Sequence, residues 1–250
     1  MPETLPSQYD DFAWFYHKYW GSGQSSFVTR ALPVLERFLL ALVPRGGRIL
    51  DLCCGTGQLA GELVQRGYQV TGVDGSAEML KFARHTSPEA EFVHADVRTF
   101  ALPSLYDGAV CLFDSLNHVM RLNELHAAFR NVRAVLRREA PFMCDFNMDA
   151  GYQARWQGSF GLAEDDHALV FRSTYDAEAR VAQSIGTMFR LEHGAWRRAD
   201  LTMHQRCYSA DEITGALRST GFAAISTYDA ERDLGMRGQV ERTFFLSRRR

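Results

Sequence analysis

The sequence is almost without lysine. Only Lys18 and Lys81 occur, so nearly all the positive charge is arginine, which reads as coding bias rather than mechanism. It also lacks an excess of either sign: the formal net charge is −2, and the sole basic cluster is Arg248, Arg249 and Arg250. A strong pull on nucleic acid is therefore excluded. No apolar run approaches membrane-spanning length, and the amino terminus lacks the charged-then-apolar pattern of a signal segment, so neither export nor membrane association is expected. The five cysteines, Cys53, Cys54, Cys111, Cys144 and Cys207, form an odd set without paired metal-ligand spacing. That excludes a disulfide framework and a zinc site, and it fits a reducing cytoplasm. Internal repeats and low-complexity tracts are also missing.

What remains is ordinary globular composition over 250 residues, 46% hydrophobic and 23% charged. This is enough for one domain carrying a modest insertion. The first segment, about 9–42, is aromatic (Tyr9, Phe12, Trp14, Phe15, Tyr16, Tyr19, Trp20) and then helical, with Leu32, Leu35, Leu39 and Leu42 at helical spacing before Pro44 and Gly46-Gly47. From Arg48 strands and helices alternate, the signature of a parallel sheet covered on both faces. The pattern predicts strands over 48–52, 68–74, 91–95, 106–113 and 141–146, and helices over 58–66, 77–84 and 122–136. Between 149 and 208 the alternation stops, and β-rich segments over 168–175, 181–191 and 196–207 predict an antiparallel meander. A helix over 211–219, stopped by Gly221, and strands over 223–229 and 240–247 return to the core. The domain organisation that follows is 1–148 for a helical cap and cofactor-binding core, 149–208 for the insertion, and 209–250 for the return.

The strongest chemical signal is the run Ile49-Leu50-Asp51-Leu52-Cys53-Cys54-Gly55-Thr56-Gly57, a buried strand ending in a tight turn that opens a helix. Gly55 and Gly57 let backbone approach a ligand, and free amides at the helix start bind its polar groups. The second strand ends in Asp74, where a carboxylate can accept both ribose hydroxyls of an adenosine cofactor at a topological switch point. The turn lacks the Gly-x-Gly-x-x-Gly needed for pyrophosphate contact, and Asp51 stands where it could meet the ammonium of a methionine. Asp96 ends the third strand, placed to accept from an adenine amino group. These details favour S-adenosylmethionine (SAM) over a nicotinamide dinucleotide.

On these residues the chain resembles the class I SAM-dependent methyltransferases, and within them the small-molecule branch that includes the deoxyaminosugar N,N-dimethyltransferases. The shared pattern runs through Asp74-Gly75-Ser76-Ala77-Glu78-Met79-Leu80, Asp96, Phe113-Asp114-Ser115-Leu116-Asn117-His118 and His204-Gln205-Arg206. The resemblance implies an α/β, Rossmann-like seven-stranded sheet with helices on both faces and a small antiparallel β insertion. It implies SAM as cofactor, with Asp51, Gly55 and Gly57 at the methionine, Asp74 at the ribose, and Asp96, Val97 and Met79 at the adenine. Gly75 and Phe113 join this cofactor set, and Tyr16, Tyr19 or Trp20 closes over it. Cys53 replaces the family's first motif glycine, so a larger side chain must fit beside the methionine.

Methyl transfer from a sulfonium is an in-line displacement, helped mainly by alignment and exclusion of water. An amine or hydroxyl acceptor must still lose a proton, and His118, just after the fourth strand, is the candidate to take it or to orient the acceptor. Asp114, Asn117, His204 and Arg206 are the other candidate substrate residues; ordinary strand-face polarity is the competing reading for the last two. Asp145 and Asn147 invite comparison with a metal-dependent catechol site, but no third acid matches, so turn or capping roles and no metal are expected. The expected partner is a small-molecule methyl acceptor, and a homodimer is compatible with the chain. The rival from another class is a SAM-fold protein that binds without methylating, as a sensor, partner or divergent enzyme. A nucleic-acid methyltransferase is disfavoured because Phe113-Asp114-Ser115-Leu116 stands where a base-gripping Asn/Asp-Pro-Pro-aromatic loop would be.

Overall fold

The computed structural model describes residues 7–21, 26–103 and 105–250; the few cap positions between 22 and 25 lie outside it. The described chain runs α1 (Ala13–Tyr19), α2 (Phe27–Phe38), β1 (Arg48–Leu52), α3 (Gln58–Gln65), β2 (Gln69–Asp74), α4 (Ala77–Thr86), β3 (Glu91–His94), β4 (Gly108–Cys111), α5 (Leu122–Val135) and β5 (Pro141–Asn147). It continues with α6 (Asp149–Arg155), β6 (Gly158–Ala163), β7 (His167–Asp176), β8 (Val181–Glu192), β9 (Ala195–Arg206), α7 (Ala210–Ser219), β10 (Phe222–Asp229) and β11 (Arg242–Arg249).

Seven strands form one sheet in the order β10-β11-β5-β4-β1-β2-β3. All neighbours are parallel except around β11, which runs antiparallel to both β5 and β10. The period-2 alternation of each strand sends successive residues to opposite faces. Leu50, Cys111, Cys144 and Phe245 join α5 and α7 in one core layer, whereas Ile49, Val110, Met143 and Phe244 join α2 and α3 in the other. This is the Rossmann-like class I methyltransferase architecture.

Chain order reverses between β2 and β4 on either side of β1, so a crevice opens at the carboxyl ends of β1, β2 and β4. The second sheet, β6-β7-β8-β9, is antiparallel throughout and occupies 158–206. It holds one strand, β6, that the sequence pattern missed, because 158–163 is glycine-rich and almost wholly exposed. Phe12 and Phe15 pack with Leu169, Phe171, Met188 and Leu201, which fastens the cap to this sheet over the crevice.

The fourth strand is shorter than predicted. It stops at Cys111, and Phe113 (φ 63) and Asp114 (φ 49) turn left-handed into a 3-10 turn over Ser115–His118. Asp145 explains the turn: its carboxylate accepts from the amides of Phe113 at 2.7 Å and Asp114 at 3.1 Å. No described helix is long and apolar enough to cross a membrane.

Candidate active site

A cleft of about 580 Å³ lies at the carboxyl edge of the main sheet, roofed by the cap and the second sheet. Its first half is built from the β1 and β2 ends. Cys53 (φ 55), Gly55 (φ 54) and Gly57 (φ 83) take left-handed conformations that curl the chain back beneath the cleft. Both carboxylate oxygens of Asp74 are pinned, Oδ2 by the Gly55 amide at 2.8 Å and Oδ1 by the Ser76 amide at 2.8 Å. Each oxygen keeps a free lone pair. Burial raises the Asp74 pKa against the pull of those two amides.

Asp51 lies behind this wall, buried, and its Oδ2 has no hydrogen-bond partner. Burial, and then the charge of Asp74, push its carboxyl up to about 8. A buried carboxylate oxygen left unpaired is costly. Asp51 does not itself line the cleft, but the unpaired oxygen is one that an ammonium reaching it past the Cys53–Gly55 wall would satisfy while drawing the carboxyl into its charged form, so the residues present fit SAM.

The second half of the cleft is a polar chain of side chains. Arg242 lies buried between Asp114 (2.6 Å) and Asp145, its guanidinium 4.6 Å from the Phe27 ring centre. Burial opposes its charge, but Asp114 and Asp145 outweigh burial and raise its pKa. Burial holds Asp145 up at about 6 against the pull of Arg242. The other oxygen of Asp114 accepts from Gln205 Nε2 at 2.6 Å, and Gln205 also lies 3.0 Å from His118 Nε2. Tyr9 Oη approaches the same His118 nitrogen at 3.0 Å. His118 Nδ1 donates to the His204 carbonyl at 2.9 Å, so the ring is the Nδ1-protonated tautomer and Nε2 accepts. Burial, the largest influence, lowers the His118 pKa despite the nearby Asp114. The imidazole is therefore neutral at pH 7.

Of the residues singled out from sequence, Tyr16, Trp20, Cys53, Gly55, Asp74, Gly75, Met79, Asp96, Val97, Phe113, Asp114 and His118 line the cleft. Asp96 does so while paired with Arg98 (2.5–3.1 Å), which lowers its pKa. Others lie elsewhere. Tyr19 turns to the second sheet, where its hydroxyl meets His167. Gly57 sits against α4: a Cβ there would lie 2.9 Å from the Ala83 Cα. Asn117 is a buried brace between Asn147 and the Arg206 carbonyl (2.8 Å).

His204 bonds Gln183 at 2.9 Å, and Arg206 pairs with Glu212 at 3.0 Å, both outside the cleft wall. Strand alternation is the reason: on β9, Met203 and Gln205 point into the cleft, so 204 and 206 point away. Tyr9 and Gln205 belong to the sequence patterns but have no site role there, and Arg155 and Arg242 are not singled out by them at all. The alternation within His204-Gln205-Arg206 carried the one signal that could have revealed Gln205.

Residues 49–139 match the family model described as a methyltransferase domain. That match spans the first strand, the glycine turn and the β1–β4 edge on which the cleft is built. Among relatives, it is 28% identical over 218 residues to the YqeM protein of Bacillus subtilis (strain 168), a methyltransferase by name; the match covers 85% of this chain and 88% of that one. Over 91 residues, 36% of each chain, it is 35% identical to the dTDP-3-amino-3,6-dideoxy-alpha-D-glucopyranose N,N-dimethyltransferase of Streptomyces fradiae. The fold is shared with a SAM-dependent methyltransferase from Clostridium acetobutylicum ATCC 824, at a TM-score of 0.77 and 20% identity, covering 97% of this chain and 99% of that one.

Proposed function

We propose that the protein transfers a methyl group from SAM to an amine or hydroxyl of a small molecule by in-line displacement, with Tyr9 and His118 at the acceptor. The observation that carries this reading is a neutral, half-buried histidine, 3.0 Å from a tyrosine hydroxyl, in the wall of a cleft whose other end presents the Asp74 carboxylate backed by an unpaired buried Asp51. The aminosugar specificity named for the Streptomyces fradiae relative supports an amine on a small polar ring as the acceptor class.

When bound, SAM supplies an electrophilic methyl group on a positively charged sulfur. Asp51 would hold its ammonium, Asp74 would take the ribose hydroxyls on its free lone pairs, and Met79, Val97 and Asp96 would line the adenine end. Tyr16, whose ring packs over the Gly55 turn, closes the cofactor half; burial and Asp74 raise its pKa, so the phenol stays protonated. Burial likewise keeps the Tyr9 phenol protonated. The Tyr9 oxygen, whose O–H points to His118 Nε2, can accept from the acceptor's N–H or O–H and so orient its lone pair toward the methyl group, and the shed proton can pass through Tyr9 to His118 Nε2 as the Gln205 contact there gives way. The cap and second sheet roof the cleft, and water kept out by a bound cofactor and acceptor would strengthen each of these contacts.

Isothermal titration with SAM and with its demethylated product S-adenosylhomocysteine (SAH) tests the cofactor reading, with binding of both expected. Incubation with methyl-labelled SAM and fractionated small metabolites tests the acceptor class. Label transferred only to macromolecules, or label transfer undiminished in His118→Ala, would remove the proposal.

A further inference from the structure

Three arginines line the cleft, and two of them are neutralised. Arg98 pairs with Asp96 at 2.5 Å, with Glu124 at 3.6 Å beyond, and Arg242 is held between Asp114 and Asp145. Arg155, at the end of α6, differs from both. Its Nη1 donates to the Val240 carbonyl at 2.7 Å and its Nη2 to Asn147 Oδ1 at 2.7 Å, both neutral acceptors. No carboxylate among the described residues lies within ion-pair distance of it; Asp114 and Glu231 act on it only from farther away.

Burial, and then the neighbouring charge of Arg242, hold the Arg155 pKa below arginine's ordinary value. A half-buried guanidinium with no counter-charge is out of balance. It is also pre-aimed, because Asn147 and Val240 fix the plane of the fork while leaving its other N–H groups to donate. The surrounding wall can receive a polar group: Ser173 and Ser184 line the cleft with their hydroxyls 2.9 Å apart, beside Trp156 and Phe171.

We propose that Arg155 is the anion-binding group of the acceptor subsite, pairing with a carboxylate or phosphate carried by the methyl acceptor and selecting anionic acceptors over neutral ones. This rests on the methyl-transfer reading of the cleft. The same chemistry could come from the carboxylate of SAM itself. Arg155 is instead placed at the acceptor side, because its anchor Asn147 ends β5, which β4 separates from the cofactor-holding β1.

The test uses full-length protein saturated with SAH and titrated with inorganic pyrophosphate and, separately, with glutarate, the heat of binding being read. At least one anion is expected to bind, with Arg155→Leu weakening it about tenfold or more and Arg155→Lys, which keeps the charge but not the fork, weakening it less. SAH affinity, measured on each variant without added anion, is expected to match that of the wild type, which also reports an intact cleft. Binding of neither anion to the wild type, or equal binding to Arg155→Leu, overturns the proposal. A parallel loss of SAH affinity in both variants assigns Arg155 to the cofactor's carboxylate and overturns it as well. Failure of the wild type to bind SAH removes the methyl-transfer reading itself, a result distinct from the other three.

Discussion

Gln205 donates to the ring nitrogen of His118 that a base would use: the two Nε2 atoms lie 3.0 Å apart. The amide cannot be turned the other way, because Gln205 Oε1 accepts from the Tyr152 hydroxyl at 2.8 Å and its Nε2 also donates to Asp114 at 2.6 Å. Arg242, Asp114 and Gln205 thus form a fixed relay that reaches His118 from behind while Tyr9 reaches it from the cleft. A hydrogen bond donated to the lone pair stabilises the neutral ring, adding to the effect of burial.

Gln205→Met, close in shape but without the donor, is therefore expected to raise the His118 pKa by roughly half to one unit, the worth of about 1 kcal/mol of lost hydrogen bond. The wild-type ring is expected to titrate below 6.5 and the variant above the wild type. Imidazole NMR titration reads both without needing a substrate. An unchanged or lower value in the variant would show that burial alone sets the histidine's charge.

Asp51 makes cofactor binding pH-dependent. Its carboxyl is pushed up to about 8, so at pH 7 the free protein carries it mostly protonated, whereas the ammonium of SAM or SAH requires the carboxylate. Binding at pH 7 should then release a proton, and affinity should rise with pH up to about 8 and flatten above it. The stability of the free protein runs the opposite way. A folded pKa above the ordinary carboxylate value contributes stability that is full below about 4 and is lost as pH rises through about 8. Titrations of SAH in two buffers of different ionisation enthalpy measure the proton directly. Asp51→Asn should abolish the proton release and weaken SAH by about 10- to 100-fold, the loss of one charged hydrogen bond. Proton uptake, or pH-independent affinity between 6 and 8, would place the ammonium elsewhere.

The fold was legible in the sequence because its signals are local. Strand–helix alternation from Arg48, the Gly55 turn and the acids at or near the ends of β1, β2 and β3 each lie within a few residues, and these fix the sheet edge where the cofactor half is built. The acceptor half was much less legible because its contacts are remote. Tyr9 meets His118 across 109 positions, and Arg242 meets Asp114 across 128, distances over which no periodicity carries information. Where a local rule did apply, in the alternation along β9, it separates Gln205 from its two neighbours. Residues that look alike in a motif can therefore face opposite sides of a strand.

Arg242 is expected to be structurally indispensable at neutral pH. Arg242→Met leaves Asp114 and Asp145 buried without a counter-ion, and breaking such a pair costs about 3–5 kcal/mol. The loss should shrink on acidification, as Asp145, already held up at about 6, takes a proton and ceases to need the partner. The double variant Arg242→Met, Asp145→Asn should recover part of the stability at pH 7, since one buried carboxyl rather than two then lacks the partner. Urea unfolding at pH 7 and pH 5 measures all three. A single variant equally destabilised at both pH values would point to lost packing against Phe27 and Phe113 rather than lost charge.

Gly55 and Gly57 stand two residues apart in one turn, yet substitution should affect them through different quantities. Both have left-handed φ, so alanine at either costs about 1–2 kcal/mol of backbone strain. At Gly57 the new Cβ would also meet the Ala83 backbone, 2.9 Å from Cα and 3.1 Å from the carbonyl oxygen, and neither atom belongs to a side chain that can swing aside. At Gly55 it would meet only the Tyr16 ring, at 3.4 Å, an ordinary contact, while projecting into the cofactor half of the cleft. Gly57→Ala should thus be the less stable of the two by thermal or urea unfolding. Gly55→Ala should be nearer the wild type in stability and lose more SAH affinity for each unit of stability lost. Gly57→Ala as stable as Gly55→Ala would show that α4 gives way to the added methyl, and Gly55→Ala binding SAH like the wild type would show that the cofactor does not come close to the turn.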